Sequence, residues 1–247
     1  MRKVYDVHMH LIPEVDDGAW NMEMALSMIQ MAYAQGIRKI FATPHCSAFF
    51  SDADLVRENY GKLKKEAGQI WPDVEIFPGC EVLLEEYSIE EVLRGLEAGR
   101  IPSMNGTCYV LAEFHQGAEA EEAERCTEKL RECGWRPIIA HAERYRFAYH
   151  DRAALVRMLT AGCLCQINAC SLTEEPAGWI RENARWMIQE KLAGFLGSDA
   201  HRTFCRPPEV QSGVKYLYSV SDRVYADDVA YRNAERLISC TDINYKY

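Results

Sequence analysis

The stretch Asp6-Val7-His8-Met9-His10-Leu11-Ile12-Pro13-Glu14-Val15-Asp16-Asp17-Gly18 begins at a predicted strand and carries side chains typical of a metal site. β-Branched and aromatic residues precede His8, which favours a strand. Side chains two apart on a strand point the same way, so His8 and His10 present two imidazoles on one face. Imidazole is the commonest metal ligand in proteins. The Asp16–Asp17 pair follows, closed by a glycine suited to a sharp turn.

Composition narrows the classes of protein to which this chain can belong. Its 247 residues are 48% hydrophobic and 26% charged, as in globular domains. The 28 basic and 37 acidic residues give a net charge of −9, which argues against a nucleic-acid partner or an anionic membrane. No apolar run is long enough to span a membrane, and the first residues lead into a strand rather than a signal peptide. The ten cysteines contain no Cys-x-x-Cys pair, so we expect a cytoplasmic protein with reduced thiols and no membrane insertion.

Short apolar runs alternate with helical patterns along the whole chain. No linker, repeat or low-complexity segment interrupts this alternation, so we expect one α/β domain over residues 1–247, built as a parallel barrel-like fold. The predicted strands are residues 4–8, 37–43, 74–81, 108–114, 136–140, 164–167 and 194–197. The predicted helices are residues 22–35, 52–71, 88–98, 118–133, 151–161, 176–191, 206–218 and 226–239.

Metal-type side chains occur at the ends of six of these strands. The carboxyl ends of parallel barrel strands share one face, where sites are built, so we expect these side chains to converge. They exceed the needs of one ion, which favours two or three ions bridged by carboxylates. Imidazole and carboxylate ligands without thiolate suit Mn, Fe or Zn. The set is His8, His10, His45, Glu81, Glu113, His141, Asp199 and His201, with Asp16 and Asp17 beside it.

Two arginines are predicted at the same face. Arg144 lies three residues after His141, and Arg206 lies shortly after His201 and directly before two prolines, which hold φ fixed. The planar guanidinium group matches a pair of phosphate oxygens. Several metal ions together with arginine indicate hydrolysis of a phosphate ester.

The ordered motifs resemble those of the polymerase and histidinol phosphatase (PHP) superfamily. Within it, Asp-Asp-Gly, His-x-Glu-Arg and Arg-Pro-Pro resemble the manganese-dependent protein-tyrosine phosphatases of bacterial capsule and exopolysaccharide loci, the CpsB/YwqE/CapC type. The resemblance spans residues 6–208. Its motifs are His8-x-His10, Asp16-Asp17-Gly18, Thr43-Pro44-His45, Gly79-Cys80-Glu81, Leu111-Ala112-Glu113-Phe114, Ala140-His141-Ala142-Glu143-Arg144 and Ser198-Asp199-Ala200-His201.

This resemblance implies a distorted (β/α)7 barrel of the PHP type with up to three Mn²⁺ ions and a metal-activated hydroxide. It also implies that Arg144 and Arg206 contact phosphate. The implied substrate is the phosphotyrosine-containing tail of a bacterial tyrosine kinase that controls polysaccharide export, and a homo-oligomer is possible. The implied ligand sets are His8, His10, Glu81 and Asp199 for one ion, Glu81, Glu113 and His141 for a second, and Asp17, His45 and His201 for a third.

Several alternatives stay open at the level of sequence. A small-molecule phosphatase of the histidinol-phosphatase type would share the metal site and differ only in its pocket. The acidic balance disfavours a nuclease, and a catalytically idle kinase-binding partner would lack ligands, whereas none is missing here. No cysteine is followed by arginine after five residues, so a cysteinyl-phosphate route lacks its motif. The apolar segment 46–50, expected as a loop, either offers aromatic surface to a tyrosyl ring or packs over the barrel, and His115 is left unassigned.

Overall fold

The computed structural model describes residues 2–85, 88–173 and 177–243. In these ranges the chain forms eight short strands, with helices between all of them except the third and the fourth. Those two strands lie where one strand was predicted, and the other six agree with the predicted strands to within two residues at each end. The strands are β1 (Asp6–Met9), β2 (Lys39–Ala42), β3 (Glu75–Pro78), β4 (Glu81–Leu83), β5 (Tyr109–Glu113), β6 (Arg136–Ile139), β7 (Leu164–Asn168) and β8 (Phe195–Gly197). The helices are α1 (Met22–Ala34), α2 (Cys46–Ile70), α3 (Ile89–Glu97), α4 (Ala120–Glu132), α5 (Arg146–His150), α6 (Arg152–Thr160), α7 (Gly178–Gln189), α8 (Gln211–Val220), α9 (Arg223–Asp227) and α10 (Asn233–Ile238).

The strands pair in parallel in the orders β1-β2-β3 and β4-β5-β6-β7-β8. The two sheets meet at both edges. On one side the Asp199 N–H donates to the His8 carbonyl at 2.8 Å, beside a parallel bridge between Met9 and Ala200. On the other side His45 and Glu81 form a parallel bridge. The sheets therefore close into the distorted barrel that the sequence predicted.

The predicted third strand, residues 74–81, is broken into β3 and β4. Pro78 ends β3, and Gly79 passes so close to its neighbours that a Cβ there would lie 2.9 Å from Met104 and from Thr43. After this break the chain leaves β2 and pairs with β5. Counted as two halves of one strand, β3 and β4 bring the barrel to seven strands, and Glu81 opens the second half instead of ending the first.

Segment 46–50 is helical, and the expectation of a loop there was wrong. It forms the start of α2, which contains a break at Asp52, with φ −149° and ψ 87°. The Asp52 carboxylate accepts the Leu55 N–H, as a cap does, so the part of α2 after the break begins where the sequence predicted a helix. Cys46 and Phe49 are buried, which shows that Phe49 packs over the barrel.

Two other helix boundaries differ from prediction. The helix expected from residue 206 begins only at Gln211, because prolines at 207 and 208 follow an Arg206 that has φ +51°. The last predicted helix begins earlier, at Arg223, and includes a π-helical turn at Asp228–Arg232. The predicted start at residue 176 lies outside the described residues.

The floor of the barrel is apolar. Leu164 packs in this layer, and Gln166 and Asn168 follow it on the same face of β7 toward the carboxyl end. This strand therefore changes from apolar to polar along its length, which prepares the carboxyl end for a polar site. The floor consists of Val7, Phe41, Tyr109, Leu111, Ile138, Leu164 and Phe195, covered by Leu237 and Ile243.

Within the described residues, every helix is too short or too polar to cross a membrane.

Candidate metal centre

His8 and His10 lie fully buried at the end of β1, with their Nε2 atoms 3.3 Å apart. The Nδ1 atom of His8 lies 3.1 Å from Gln166 Oε1, and the Nδ1 atom of His10 lies 2.8 Å from Asp16 Oδ2. A proton on Nδ1 satisfies each of these hydrogen bonds and leaves the Nε2 lone pair free for a metal ion. The two imidazoles are thus oriented toward one point, as the spacing predicted.

Glu81 lies at the centre of the site, and its two carboxylate oxygens face different imidazoles. Oε1 is 3.2 Å from His8 Nε2 and 2.9 Å from His141 Nε2. Oε2 is 3.1 Å from His10 Nε2 and 3.1 Å from His45 Nδ1. A buried carboxylate whose two oxygens each face a different pair of imidazoles has the arrangement of a ligand that bridges two cations.

Asp199 approaches the same histidines from the end of β8. Its Oδ1 atom lies 3.6 Å from the Nε2 atoms of His8 and His10, and its Oδ2 accepts the Asn168 side-chain amide at 3.1 Å. Asp199 has φ +53°, a left-handed conformation unusual for a residue other than glycine. The carboxylate is therefore held in place by both backbone geometry and a buried hydrogen bond.

A second group of ligand atoms lies toward solvent. His10, Asp17, His45 and His201 each offer an atom within 4.8 Å of the others. His201 donates from Nδ1 to the Asp199 carbonyl at 2.9 Å. Its buried Nε2 has no hydrogen-bond partner in the described residues and lies 3.3 Å from Asp17 Oδ1. A buried imidazole nitrogen without a hydrogen-bond partner, beside a carboxylate, has the chemistry of a cation ligand.

Glu113 forms a third group of candidate ligands with His45 and Glu81, and one ligand atom of each lies within 4.8 Å of the others. Its oxygens lie 3.6 Å from His45 Nδ1 and 3.6 Å from His141 Nε2. The implied second ligand set has His141 where this group has His45, and both imidazoles contact the Glu81 and Glu113 carboxylates. The structure brings together all nine residues of the three implied ligand sets: His8, His10, Asp17, His45, Glu81, Glu113, His141, Asp199 and His201.

In the candidate metal centre, neighbouring imidazoles and carboxylates shift each other's pKa values. Burial alone would lower the pKa of His10, but hydrogen bonds with Asp16 and Glu81 raise it to about 10. Burial would raise the pKa of Glu81, but the charge of His8 and hydrogen bonds from the other histidines hold it well below its usual value. Burial and the charge on His10 lower the pKa of His201 to about 3. The site thus keeps anionic carboxylates in a buried place, which suits cations.

Both predicted arginines lie beside candidate ligands. Arg206 Nη1 is 3.3 Å from Asp199 Oδ2, and its Nη2 is 3.5 Å from Asp17 Oδ2. Arg144 Nη1 lies 3.9 Å from Asp199 Oδ2. The two guanidinium groups therefore flank one carboxylate, where a phosphate bound at the centre would meet both.

Sequence reasoning missed the residues that hold the ligands in place. Gln166 faces His8 and also accepts the His141 N–H at 2.9 Å, while its amide donates to Asn168 at 2.8 Å. Asp6 accepts the N–H groups of His8 and Ser198. A signal was present, because Gln166 and Asn168 are polar residues two apart on an otherwise apolar strand.

Gly18 lies in a bend of the loop, and it is also required for space. A Cβ at this position would lie 2.3 Å from the His10 carbonyl oxygen and 2.6 Å from the His10 Cβ, and the φ angle of Gly18 is not positive. Gly197 plays a similar part, since a Cβ there would lie 2.8 Å from the His8 Cβ. Both glycines let a neighbouring segment pass close to the histidine pair.

His115 has a local role. It is exposed, and its Nδ1 accepts the Gly117 N–H at 3.2 Å. This hydrogen bond stabilises the turn after β5.

Comparison with known proteins gives consistent results. The family described as "Capsular polysaccharide synthesis, CpsB/CapC" matches residues 4–239. Tyrosine-protein phosphatase CpsB of Streptococcus agalactiae serotype V is 27% identical over 240 residues, covering 94% of this chain and 97% of that protein. Tyrosine-protein phosphatase YwqE of Bacillus subtilis (strain 168) is 29% identical over 238 residues, covering 94% and 91%. A crystal structure from work on YwqE of Bacillus subtilis and CpsB of Streptococcus pneumoniae, described as unique metal-dependent tyrosine phosphatases, superimposes with a TM-score of 0.84, at 27% identity and with 97% and 96% coverage.

Proposed function

This chain belongs to the CpsB/CapC family of capsular polysaccharide synthesis proteins, and from this we propose that it is a metal-dependent protein-tyrosine phosphatase of one domain. Its proposed substrate is the phosphotyrosine-containing tail of a bacterial tyrosine kinase, met in the cytoplasm, through which it would regulate capsular polysaccharide synthesis. The observation that carries the proposal is the buried Glu81 carboxylate, with four imidazoles around it and two arginines beside the adjoining Asp199. The names of the relatives supply the substrate class.

The donor set fits two or three Mn²⁺ ions, and Fe or Zn would be held by the same imidazole and carboxylate chemistry. When bound, such ions lower the pKa of water so that a hydroxide nucleophile is available at neutral pH. We assign the metals to the three sets that the resemblance implies, with His10 oriented between the first and the third. Those sets are His8, His10, Glu81 and Asp199; Glu81, Glu113 and His141; and Asp17, His45 and His201.

The protein's own groups bind and orient the phosphate. Arg144 and Arg206 have guanidinium donors on either side of Asp199, positioned for phosphoryl oxygens that gain charge along the reaction. Asp16 and Gln166 fix the orientation of the His10 and His8 imidazoles at the end of β1. Charge stabilisation of this kind is needed because uncatalysed hydrolysis of phosphate monoesters is extremely slow.

The deciding assay compares substrates at controlled metal content. Purified protein is stripped with a chelator, reloaded with Mn²⁺, Fe²⁺ or Zn²⁺, and assayed on a phosphotyrosine peptide, a phosphoserine peptide and histidinol phosphate. We expect activity to return with metal and to favour the phosphotyrosine peptide, with Glu81→Gln as the inactive control. Preference for histidinol phosphate would favour the small-molecule phosphatase over this proposal. Full activity after chelation would show that the reaction does not need metal ions.

A further inference from the structure

Trp20 and Phe204 form an exposed aromatic pair beside the candidate metal centre. Their ring centroids are 5.5 Å apart at 59°, and the two residues are 53% and 64% exposed. Trp20 follows the segment that carries Asp17, and Phe204 follows His201. The pair therefore joins the two loops that bring the outer candidate ligands together.

The pair is held in position by contacts with the backbone of the site. The Arg202 guanidinium lies 4.4 Å from the centre of the Trp20 ring and donates to the Asp17 carbonyl at 2.9 Å. The loop that bears Phe204 is closed by a hydrogen bond from the His201 N–H to the Arg206 carbonyl at 3.0 Å. Rings held in this way lose little conformational entropy when a ligand binds.

Such a surface has the composition of a binding site for another chain. Within the described part of the chain, Trp20 and Phe204 are the aromatic members of the exposed large apolar group, and the others are the aliphatic residues Leu55, Ile70, Val220 and Val224. Aromatic rings bury large areas on contact, and tryptophan and arginine are enriched among the residues that dominate binding energy.

Asp17 separates this pair from the position of the phosphate. Its carbonyl faces Arg202, whereas its carboxylate faces His201 and Arg206. A phosphotyrosine whose phosphate lies at the metals and arginines would thus place its own ring over the centre, and a neighbouring residue of the same peptide would extend past Asp17 to the rings.

We propose that the Trp20–Phe204 pair binds an aromatic or aliphatic side chain that flanks the phosphotyrosine in a peptide substrate. This inference rests on the proposed phosphatase function. It adds that the enzyme distinguishes phosphotyrosine peptides by the residue next to the phosphotyrosine. Small aryl phosphates, which have no flanking residue, would gain nothing from the pair.

The test uses two phosphotyrosine peptides that differ only in having Phe or Gly beside the phosphotyrosine, together with p-nitrophenyl phosphate. For the wild-type protein we expect kcat/KM to be about 5- to 30-fold higher for the Phe peptide. Trp20→Ala and Phe204→Ala should each remove most of this preference and lower kcat/KM much less on p-nitrophenyl phosphate than on the Phe peptide. Ile70→Ala, an equally exposed apolar side chain on α2, is the matched control and should keep the preference.

Each other outcome overturns the inference. A wild-type enzyme that cleaves both peptides equally, or variants that keep the preference, would show that the pair does not contact the flanking residue. An equal loss on p-nitrophenyl phosphate would assign the rings to the phosphorylated group itself. A changed sedimentation coefficient in the variants would make the pair an interface between copies. Failure of the wild-type protein to cleave any phosphotyrosine peptide would instead refute the proposed function, and the inference with it.

Discussion

The Oδ2 atom of Asp16 lies 2.8 Å from the Nδ1 atom of His10, on the side of the imidazole that faces away from Glu81. Asp16 also accepts the backbone N–H groups of Gly18 at 2.9 Å and His45 at 3.1 Å. These contacts use both of its oxygens, whereas the Asp17 carboxylate points to His201 and Arg206. The two adjacent aspartates therefore have different tasks: Asp16 orients a ligand, and Asp17 is itself positioned as one.

Asp16→Ala should weaken metal binding and activity by about 10- to 100-fold, as is typical when the partner of a metal-ligating histidine is removed. Asp16→Asn, which keeps the shape but not the charge, should fall between this variant and the wild type. Metal titration of the chelated protein measures the effect, with circular dichroism to confirm folding. Glu14→Ala removes an exposed carboxylate from the same loop and should behave as wild type. Unchanged metal affinity in Asp16→Ala would contradict the orienting role.

Glu81→Gln should cost more metal and more activity than His45→Ala. Glu81 contacts four imidazoles through both oxygens, so the amide weakens two cation positions together. His45 is more exposed and stands at the outer side of the centre. Elemental analysis of the purified variants gives ions per chain. Full occupancy and rate in Glu81→Gln would exclude a bridging role for Glu81.

The sequence was sufficient to predict six of the strands and the residues at their ends, but not the break of the third predicted strand into β3 and β4. Alternation of apolar runs with helical patterns defines a parallel barrel, and His8, Glu113 and Asp199 then follow from where each strand stops. These predictions depend on local periodicity and on one rule about parallel strands. They do not require knowledge of which atoms touch.

The parts that could not be predicted depend on tertiary packing. Segment 46–50 is helical because Phe49 finds a buried place against the barrel, which no local pattern specifies. Gly18 is needed because His10 comes from another part of the loop to within 2.3 Å of where a Cβ would lie. Gln166 acts through its distances to His8 and the His141 backbone, and sequence spacing does not contain those distances.

Alkylation of the thiols should leave turnover intact if the nucleophile is a hydroxide. Cys205 is exposed in the loop before Arg206, whereas Cys46, directly after His45, is buried, and burial raises the pKa of its thiol. The reactive form of cysteine is the thiolate, so Cys46 is poorly suited to attack phosphorus. Iodoacetamide should label Cys205 with little change in kcat, and mass spectrometry verifies the labelled position. Inactive Cys205→Ser and Cys46→Ala variants with intact fold and metal content would point to thiol chemistry.

Metal binding should release protons, and metal affinity should increase with pH. Hydrogen bonds with Asp16 and Glu81 raise the pKa of His10 to about 10 against the effect of burial, and the neighbouring Glu113 and Glu81 carboxylates raise that of His141. With a pKa of about 10, the His10 imidazole carries a proton on both ring nitrogens at pH 7 before metal binds, whereas an imidazole that ligates a metal must be neutral. Calorimetry in buffers of different ionisation enthalpy measures the protons released, which we expect to number about one or more per chain. Asp16→Asn should reduce this number, and zero release in the wild-type protein would refute the expectation.

Arg144 and Arg206 differ in how firmly the chain holds them. Arg144 ends a short 3₁₀ turn (Ala142–Arg144) whose middle residue, Glu143, is buried and accepts hydrogen bonds from Ser171 and Asn168. Its side chain is 24% exposed. Arg206 has φ +51° in the outer loop, and its side chain is 42% exposed. Arg144 is thus tied to the metal core, whereas Arg206 lies where a protein substrate arrives.

Arg144→Ala should chiefly lower kcat, whereas Arg206→Ala should raise KM at least as much as it lowers kcat. Removal of one charge-assisted phosphate contact costs about 2–4 kcal/mol, or roughly 30- to 1000-fold in kcat/KM. Lysine should restore little at either position, because it cannot form a two-pronged contact. Steady-state kinetics on a phosphotyrosine peptide at saturating metal separates kcat from KM. Arg223→Ala, an exposed arginine on α9, is the control, and kcat/KM near the wild-type value in both site variants would leave the metal residues as the whole of the catalytic apparatus.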